Sequence, residues 1–314
     1  MFNEMLQGAI ILSMLGGMMR IATPILLAAL GEVITERAGV QNLGCEGIIL
    51  TGAFIAFLVA QRTESMPTAL LAAVIAGGVM SFLMVLMAAT LKVDQIVTGL
   101  ALNLLASGIT FYWYRIAFKN TTASVMPNID IMKIIKIPIL SEIPVLGEVL
   151  FSQYLLTYFA FIMVPAIWFF LYKTKYGLEI RALGENPRAI DIKGINVTRL
   201  QYLAVIFGGM MGGLGGAFLT VASAGIFVPE MSAGRGWLAI VVVIAGNWRP
   251  FRILLATLIF SFLDAFQLQA QGLGVDFPYQ ILLGLPYVFA IILMIGSRAR
   301  SEAPSHLGEP YYRE

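Results

Sequence analysis

Cysteine and histidine are nearly missing from this 314-residue chain, which has one of each, Cys45 and His306. A lone cysteine excludes an intramolecular disulfide, and no thiolate or imidazole cluster remains to bind zinc. Charge is scarce as well: Asp, Glu, Lys and Arg make up 12% of the residues, against roughly 25% in a soluble domain, so a water-facing globular fold is excluded. A formal net charge of +2 is too small to imply a nucleic-acid partner. No G-x-x-x-x-G-K-[ST] stretch occurs, which excludes ATP binding through a P-loop. Gly213-Leu214-Gly215 lies mid-span with no strand before it and is not a dinucleotide fingerprint. The spans hold no Asp-Asp, Ser-His or metal-ligand set for intramembrane catalysis, so neither an enzyme nor a cofactor is expected. No basic segment precedes the first apolar run, which reads as a mature span and not as a cleaved signal.

What is present is apolar sequence. The composition is 59% hydrophobic with a mean hydropathy of +0.86, the mark of an integral membrane protein. Taking about 20 apolar residues per span, the candidates are 8–30, 43–61, 67–91, 95–118, 153–172, 201–224, a short 237–247, 253–271 and 278–296. The fold expected is an all-α polytopic helical bundle of about 8–10 membrane segments, with discontinuous helices and internal pseudo-symmetry, in a single domain over 1–314.

The sharpest polar feature is the stretch 173–200. Residues 173–199 carry nine of the chain's Asp, Glu, Lys and Arg residues, six of them basic, which assigns the loop to the cytoplasm. Within it Asn186 is a good N-cap, Pro187 suits the first helical position and Gly194 fits the left-handed residue that ends a helix. A helix of about two turns is too short to stand alone, so it must pack on its flanks or on a partner. The plainer reading is a solvated connection. Counting spans outward places 119–152 outside, with Tyr112, Trp113 and Tyr114 as an aromatic belt before it.

Two polar, glycine-rich interruptions, 31–44 and 225–236, sit at comparable places in the two halves. Such pairs mark a transporter's solute path, because irregular backbone survives at membrane depth only where protein or a water-filled cavity satisfies it; the alternative is a pair of ordinary surface turns. Arg20, Glu46, Asn103 and Asp264 lie inside spans, with Gln267 and Gln271 on one helical face, and should face the bundle interior. Interhelical hydrogen bonding explains Glu46 and Asn103 as well as solute contact does, and a salt bridge to Glu32 or Glu36 explains Arg20. Gly208, Gly212 and Gly216 fall four apart and form a smooth face for close helix packing.

These motifs resemble the permease subunits of bacterial ABC importers for nucleosides and simple sugars, which work with basic-membrane-protein-type binding lipoproteins. The resemblance covers nearly the whole chain. It is carried by Ala22-Thr23-Pro24, Gly31-Glu32, Glu36-Arg37-Ala38-Gly39-Val40, Asn42-Leu43-Gly44-Cys45-Glu46-Gly47 and Thr98-Gly99-Leu100-Ala101-Leu102-Asn103. Later pieces are Lys175-Tyr176-Gly177-Leu178, Arg181-Ala182-Leu183-Gly184-Glu185-Asn186-Pro187, Gly234-Arg235-Gly236-Trp237 and Gly246-Asn247-Trp248-Arg249-Pro250. Cys45 and Gln41 depart from the usual apolar residues. The resemblance implies a multi-pass cytoplasmic-membrane permease whose Gly184, Glu185, Asn186, Pro187, Arg188 and Asp191 couple to a separate ATP-binding subunit. It implies a second, related permease in a heterodimer, a binding lipoprotein on the outer face, and a solute path past Glu32, Asn42, Glu46, Asn103 and Trp237. Nucleosides are the expected solute, with a ribose-type sugar as the alternative. The rival from another class is an ion-coupled secondary transporter in which Asp264, Glu46 or Arg20 carries the coupling charge.

Overall fold

The computed structural model describes residues 8–119, 127–138, 140–143, 146–272 and 302–312, with five further positions between 284 and 292. In chain order the helices are α1 (Gly8–Arg37), α2 (Cys45–Thr63), α3 (Met66–Val85, continued by a π-helical turn, Leu86–Thr90), α4 (Gln95–Ala117) and α5 (Leu146–Leu150). They continue with α6 (Leu155–Lys173), α7 (Lys175–Glu185), α8 (Pro187–Ile192), α9 (Val197–Ala217, continued by a π-helical stretch, Phe218–Ala224), α10 (Arg235–Ala245) and α11 (Pro250–Gly272). Seven of them, α1 to α4, α6, α9 and α11, are long and apolar enough to cross a membrane. Of the span expected at 278–296 only those five positions are described, each of them helical, and the rest lies outside the described residues. Among the described residues the strands are β1 (Ile135–Lys136) and β2 (Ser152–Gln153), an antiparallel pair.

Local chemistry sets the helix starts. Asp94 accepts the Val97 N–H (2.9 Å) to begin α4, Thr174 the Gly177 N–H (3.1 Å) to begin α7, and Asn196 the Arg199 N–H (2.9 Å) to begin α9. Each cap satisfies an orphan donor of the first turn, an effect of about 1 kcal/mol.

Helix α9 is the hub of the bundle and packs against α1, α2 and α3. A methyl group on Gly208 would overlap Thr35 Oγ1, and one on Gly216 would overlap the Ile49 carbonyl, so this row lies directly on α1 and α2. The neighbouring row, Gly209 and Gly213, meets Ala73, Gly77 and Ser81 of α3, main chain against main chain. With no hydrophobic driving force between helices in lipid, this close van der Waals fit holds the bundle together. The outer faces stay apolar and bare: Leu104 on α4, Ile162 on α6 and Leu255 on α11 are 76%, 65% and 62% exposed.

The two interruptions differ from expectation in opposite ways. Helix α1 runs straight through Gly31 to Arg37, so the first break shrinks to 38–44. The helix continues to Arg37 because Glu32 and Glu36 find partners off the helix. The second break is larger than a turn, because residues 225–234 are non-helical and α10 has only 11 residues. At 1.5 Å per residue α10 is about 16 Å long, roughly half the hydrocarbon thickness. Arg20 is exposed and makes no salt bridge to Glu32 or Glu36. Twelve residues along a helix is about 18 Å, too far for that pair.

Candidate functional site

Two polar assemblies stand out, one at an end of the bundle and one within it. At the end, α7 and α8 form an elbow. Asn186 Oδ1 accepts the Ala189 N–H (3.2 Å), Pro187 opens α8, and Gly194 at φ +77° closes it. Pro187 and Ile190 are buried beneath, while Asn186, Arg188 and Ile192 face outward, with Ile192 87% exposed. Gly184 lies so close to the end of α1 that any side chain there would collide with the Arg37 carbonyl oxygen.

The C-terminal segment straps this elbow down. His306 donates its N–H to the Gly184 carbonyl (2.9 Å), and the Ser305 hydroxyl donates to Glu185 Oε2 (2.8 Å). Gly308 donates its N–H to the Gly39 carbonyl (3.1 Å), and the Tyr311 hydroxyl donates to Asp191 Oδ2 (3.0 Å). Nearer its start, Glu302 donates its N–H to Asn247 Oδ1 (2.7 Å) and accepts two bonds from Arg249, both 3.0 Å. The structure therefore places Gly184, Glu185, Asn186, Pro187, Arg188 and Asp191 in one elbow, with Glu185, Asn186 and Arg188 exposed and Gly184 and Pro187 buried. It adds a strap that no sequence pattern announced, because eleven mostly polar residues after the last span read as an ordinary tail.

Within the bundle, the chain around 42–47 is a polar knot. Glu32 accepts the Asn42 main-chain N–H (3.2 Å) and side-chain N–H (3.4 Å), and Asn42 Oδ1 accepts the Gly44 N–H (3.1 Å). Asn103 on α4 accepts the Gly47 N–H and donates to the Leu43 carbonyl, both at 2.8 Å. Glu46 accepts the N–H groups of Gly234 (2.8 Å) and Gly236 (2.7 Å), so its carboxylate caps the start of α10. A negative charge there also complements the helix dipole. The structure thus brings together Glu32, Asn42, Glu46 and Asn103, each bonded to main-chain groups, and leaves Trp237 on the exposed side of α10, 41% accessible.

A third group of residues went unassigned from sequence. Trp248 donates its indole N–H to Glu36, and its carbonyl accepts from Arg37 Nη2 (3.5 Å). Arg37 Nη1 reaches Glu185 Oε1 at 4.0 Å. Asn247 and Trp248 both take left-handed conformations, φ +53° and +52°, which costs about 1–3 kcal/mol for each. Burial of the indole and its bond to Glu36 offset that cost. The signal available was a Glu-Arg pair and a Trp within two of the motifs; their partnership across 212 positions was not. On α11, Thr257 and Ser261 are fully buried with unpartnered hydroxyls, and Asp264 lies within electrostatic range of Arg235.

Residues 14–297 match the family described as the branched-chain amino acid transport system / permease component. A putative glucose ABC transporter permease of Haloferax volcanii is 35% identical over 96% of this chain and 98% of its own length. A guanosine ABC transporter permease of Bacillus subtilis is 35% identical, and a nucleoside ABC transporter permease of Lactococcus lactis 32%, each over 93% of this chain and 94% of its own. The same three organisms each hold a second, more distant relative, 25–27% identical over 77% of this chain. No solved structure matches it.

Proposed function

This chain belongs to the branched-chain amino acid transport system / permease component family, and on that premise we propose that it is the membrane-spanning half of an ABC importer for nucleosides. It is a multi-pass protein of the cytoplasmic membrane and a transport component, not an enzyme. ATP is hydrolysed on a separate subunit, since no P-loop occurs in this sequence. The elbow is the coupling element: a groove on the ATPase receives α8, and closure of two ATPase domains rocks the bundle between outward-open and inward-open states. The observation that carries this reading is α8 itself, a capped helix seated by Pro187 and Ile190 that presents a bare Ile192. A second, related permease completes the path in a heterodimer, as the paired relatives support. A binding lipoprotein delivers solute to the outer face, at the loop 119–152.

Nucleosides are preferred because two relatives that span the chain carry them in their names; the glucose permease relative keeps a simple sugar as the second reading. Solute passes the broken helices, framed by Glu32, Asn42, Glu46, Asn103 and Trp237. The unpartnered Thr257 and Ser261 hydroxyls offer hydrogen bonds that the knot residues, already committed to main chain, do not.

The test is ATP-dependent uptake of labelled uridine, adenosine and ribose into proteoliposomes holding this chain with its companion permease, ATPase and binding protein. Nucleoside uptake that needs ATP and is lost in an assembled Glu185→Ala, Pro187→Gly variant is expected. Uptake by this chain alone under a proton or sodium gradient, indifferent to ATP, would overturn the reading in favour of a secondary transporter.

A further inference from the structure

Beside the coupling elbow, where α6 ends and α11 begins, the surface opens into a pocket of about 530 Å³ lined by Trp168, Tyr172, Lys173, Arg249, Phe251 and Arg252. The three basic residues are exposed and line the pocket with a cluster of tilted rings. Trp168 lies 5.9 Å from Phe251 and 6.3 Å from Tyr172 between ring centres, and Lys173 Nζ sits 5.8 Å from the Trp168 ring. Arg249 is held by Glu302. Lys173 and Arg252 make no ion pair among the described residues, so the pocket keeps two uncompensated cations.

We propose that this pocket binds the headgroup of an anionic phospholipid, a phosphodiester such as that of phosphatidylglycerol. A guanidinium fork and an ammonium converging on one concavity match phosphate oxygens. Trp and Tyr at the end of a membrane helix mark the level of the headgroups, where amphipathic rings are most stable. The commitment to a lipid over a free anion comes from what lies beneath. The apolar ridges of α6 (Ile162, Phe169) and α11 (Phe251, Leu255), the two helices whose ends line the pocket, are 50–65% exposed. Acyl chains attached to the bound phosphate cover those ridges, whereas a soluble phosphate leaves them bare. Basic pockets between membrane helices at the cytoplasmic surface recognise lipid headgroups on this principle. The inference needs only that the chain is embedded in a bilayer; it does not rest on the nucleoside or coupling readings.

The test is native mass spectrometry of the detergent-purified full-length permease in its complex, with phosphatidylglycerol and phosphatidylcholine of matched chains competing, and glycerol-1-phosphate as a soluble headgroup arm. Wild type is expected to retain phosphatidylglycerol preferentially. At about fivefold per basic residue near the membrane surface, Lys173→Gln with Arg252→Gln reduces that preference roughly 25-fold. The charge-conserving pair Lys173→Arg with Arg252→Lys keeps it. Lys133→Gln with Lys136→Gln, which removes the same charge from the exposed far face, keeps it too. Equal retention of the two lipids by wild type overturns the proposal without needing any variant. So does an equal fall in both glutamine pairs, or displacement of phosphatidylglycerol by equimolar glycerol-1-phosphate.

Discussion

Glu46→Gln separates two roles that the same residue could serve. The carboxylate accepts N–H bonds from Gly234 and Gly236 at 2.8 and 2.7 Å, and it sits at the positive end of α10. The amide that replaces it retains one acceptor and turns an NH₂ group toward the other N–H. One charge-assisted bond is lost, worth about 1.5–3 kcal/mol, together with about 0.3–1 kcal/mol of favourable helix-dipole interaction. The expected loss is therefore about 2–4 kcal/mol, greater for Glu46→Ala, which orphans both donors. The readouts are thermal unfolding of the purified complex without solute, and KM and maximal rate of uptake in proteoliposomes. If Glu46 is the cap of α10, the unfolding midpoint falls by several degrees and the maximal rate falls with it, because α10 loses its anchor. The result that refutes this reasoning is an unchanged midpoint with a raised KM, which would mean that the carboxylate touches solute.

Gly209→Ala is expected to destabilise the bundle strongly, since the new methyl overlaps Ser81 and the Gly77 carbonyl, whereas Gly212→Ala meets only the Ile48 side chain, at 3.0 and 3.8 Å, and costs less; thermal unfolding of the two distinguishes them. Trp248→Phe leaves the buried Glu36 carboxylate without its indole donor, at a cost of about 1–3 kcal/mol in the same assay. Thr257→Val, nearly isosteric, removes a buried hydroxyl that has no partner; the unfolding midpoint holds or rises while nucleoside KM increases, and an unchanged KM would remove α11 from the solute path. Ile192→Asp leaves the bundle's midpoint unchanged and abolishes co-purification of the ATPase; retained co-purification would remove Ile192 from the docking surface.

Much of this architecture is legible because membrane insertion imposes a coarse code. Apolar length marked the spans, and Asn186, Pro187 and Gly194 delimited α8 because capping and left-handed backbone are decided within a few residues. Where meaning depended on a distant partner the code failed. Gly31 to Arg37 reads as an interruption by composition, yet it remains helical because Asn42 and Trp248 satisfy its acids from outside the helix. Glu46 and Asn103 read equally as solute contacts or as interhelical bonds, and only geometry shows their oxygens already filled by main-chain donors. The strap of 302–312 was invisible for the same reason: its bonds are made by main-chain groups and single side chains to loops far away in sequence.

The two polar assemblies are joined by a short physical path. Gly184 and Glu185 of the elbow rest on the end of α1 through the Arg37 carbonyl and guanidinium. Arg37 and its neighbour Glu36 grip the carbonyl and indole of Trp248, at the foot of α10. Helix α10 is continuous over its 11 residues, and its start is capped by Glu46 at the knot. The contacts from α8 to the broken helix therefore pass through the end of α1 and one short turn, 246–249, between α10 and α11. The strained pair Asn247 and Trp248 is the one joint where the backbone turns sharply. It is clamped from α1 by Glu36 and Arg37 and from the strap by Glu302, so α1 and the strap bear on the same two residues. Under the proposed importer reading, this strained turn, held from α1 and from the strap, is the place where a push at α8 would be passed toward α10.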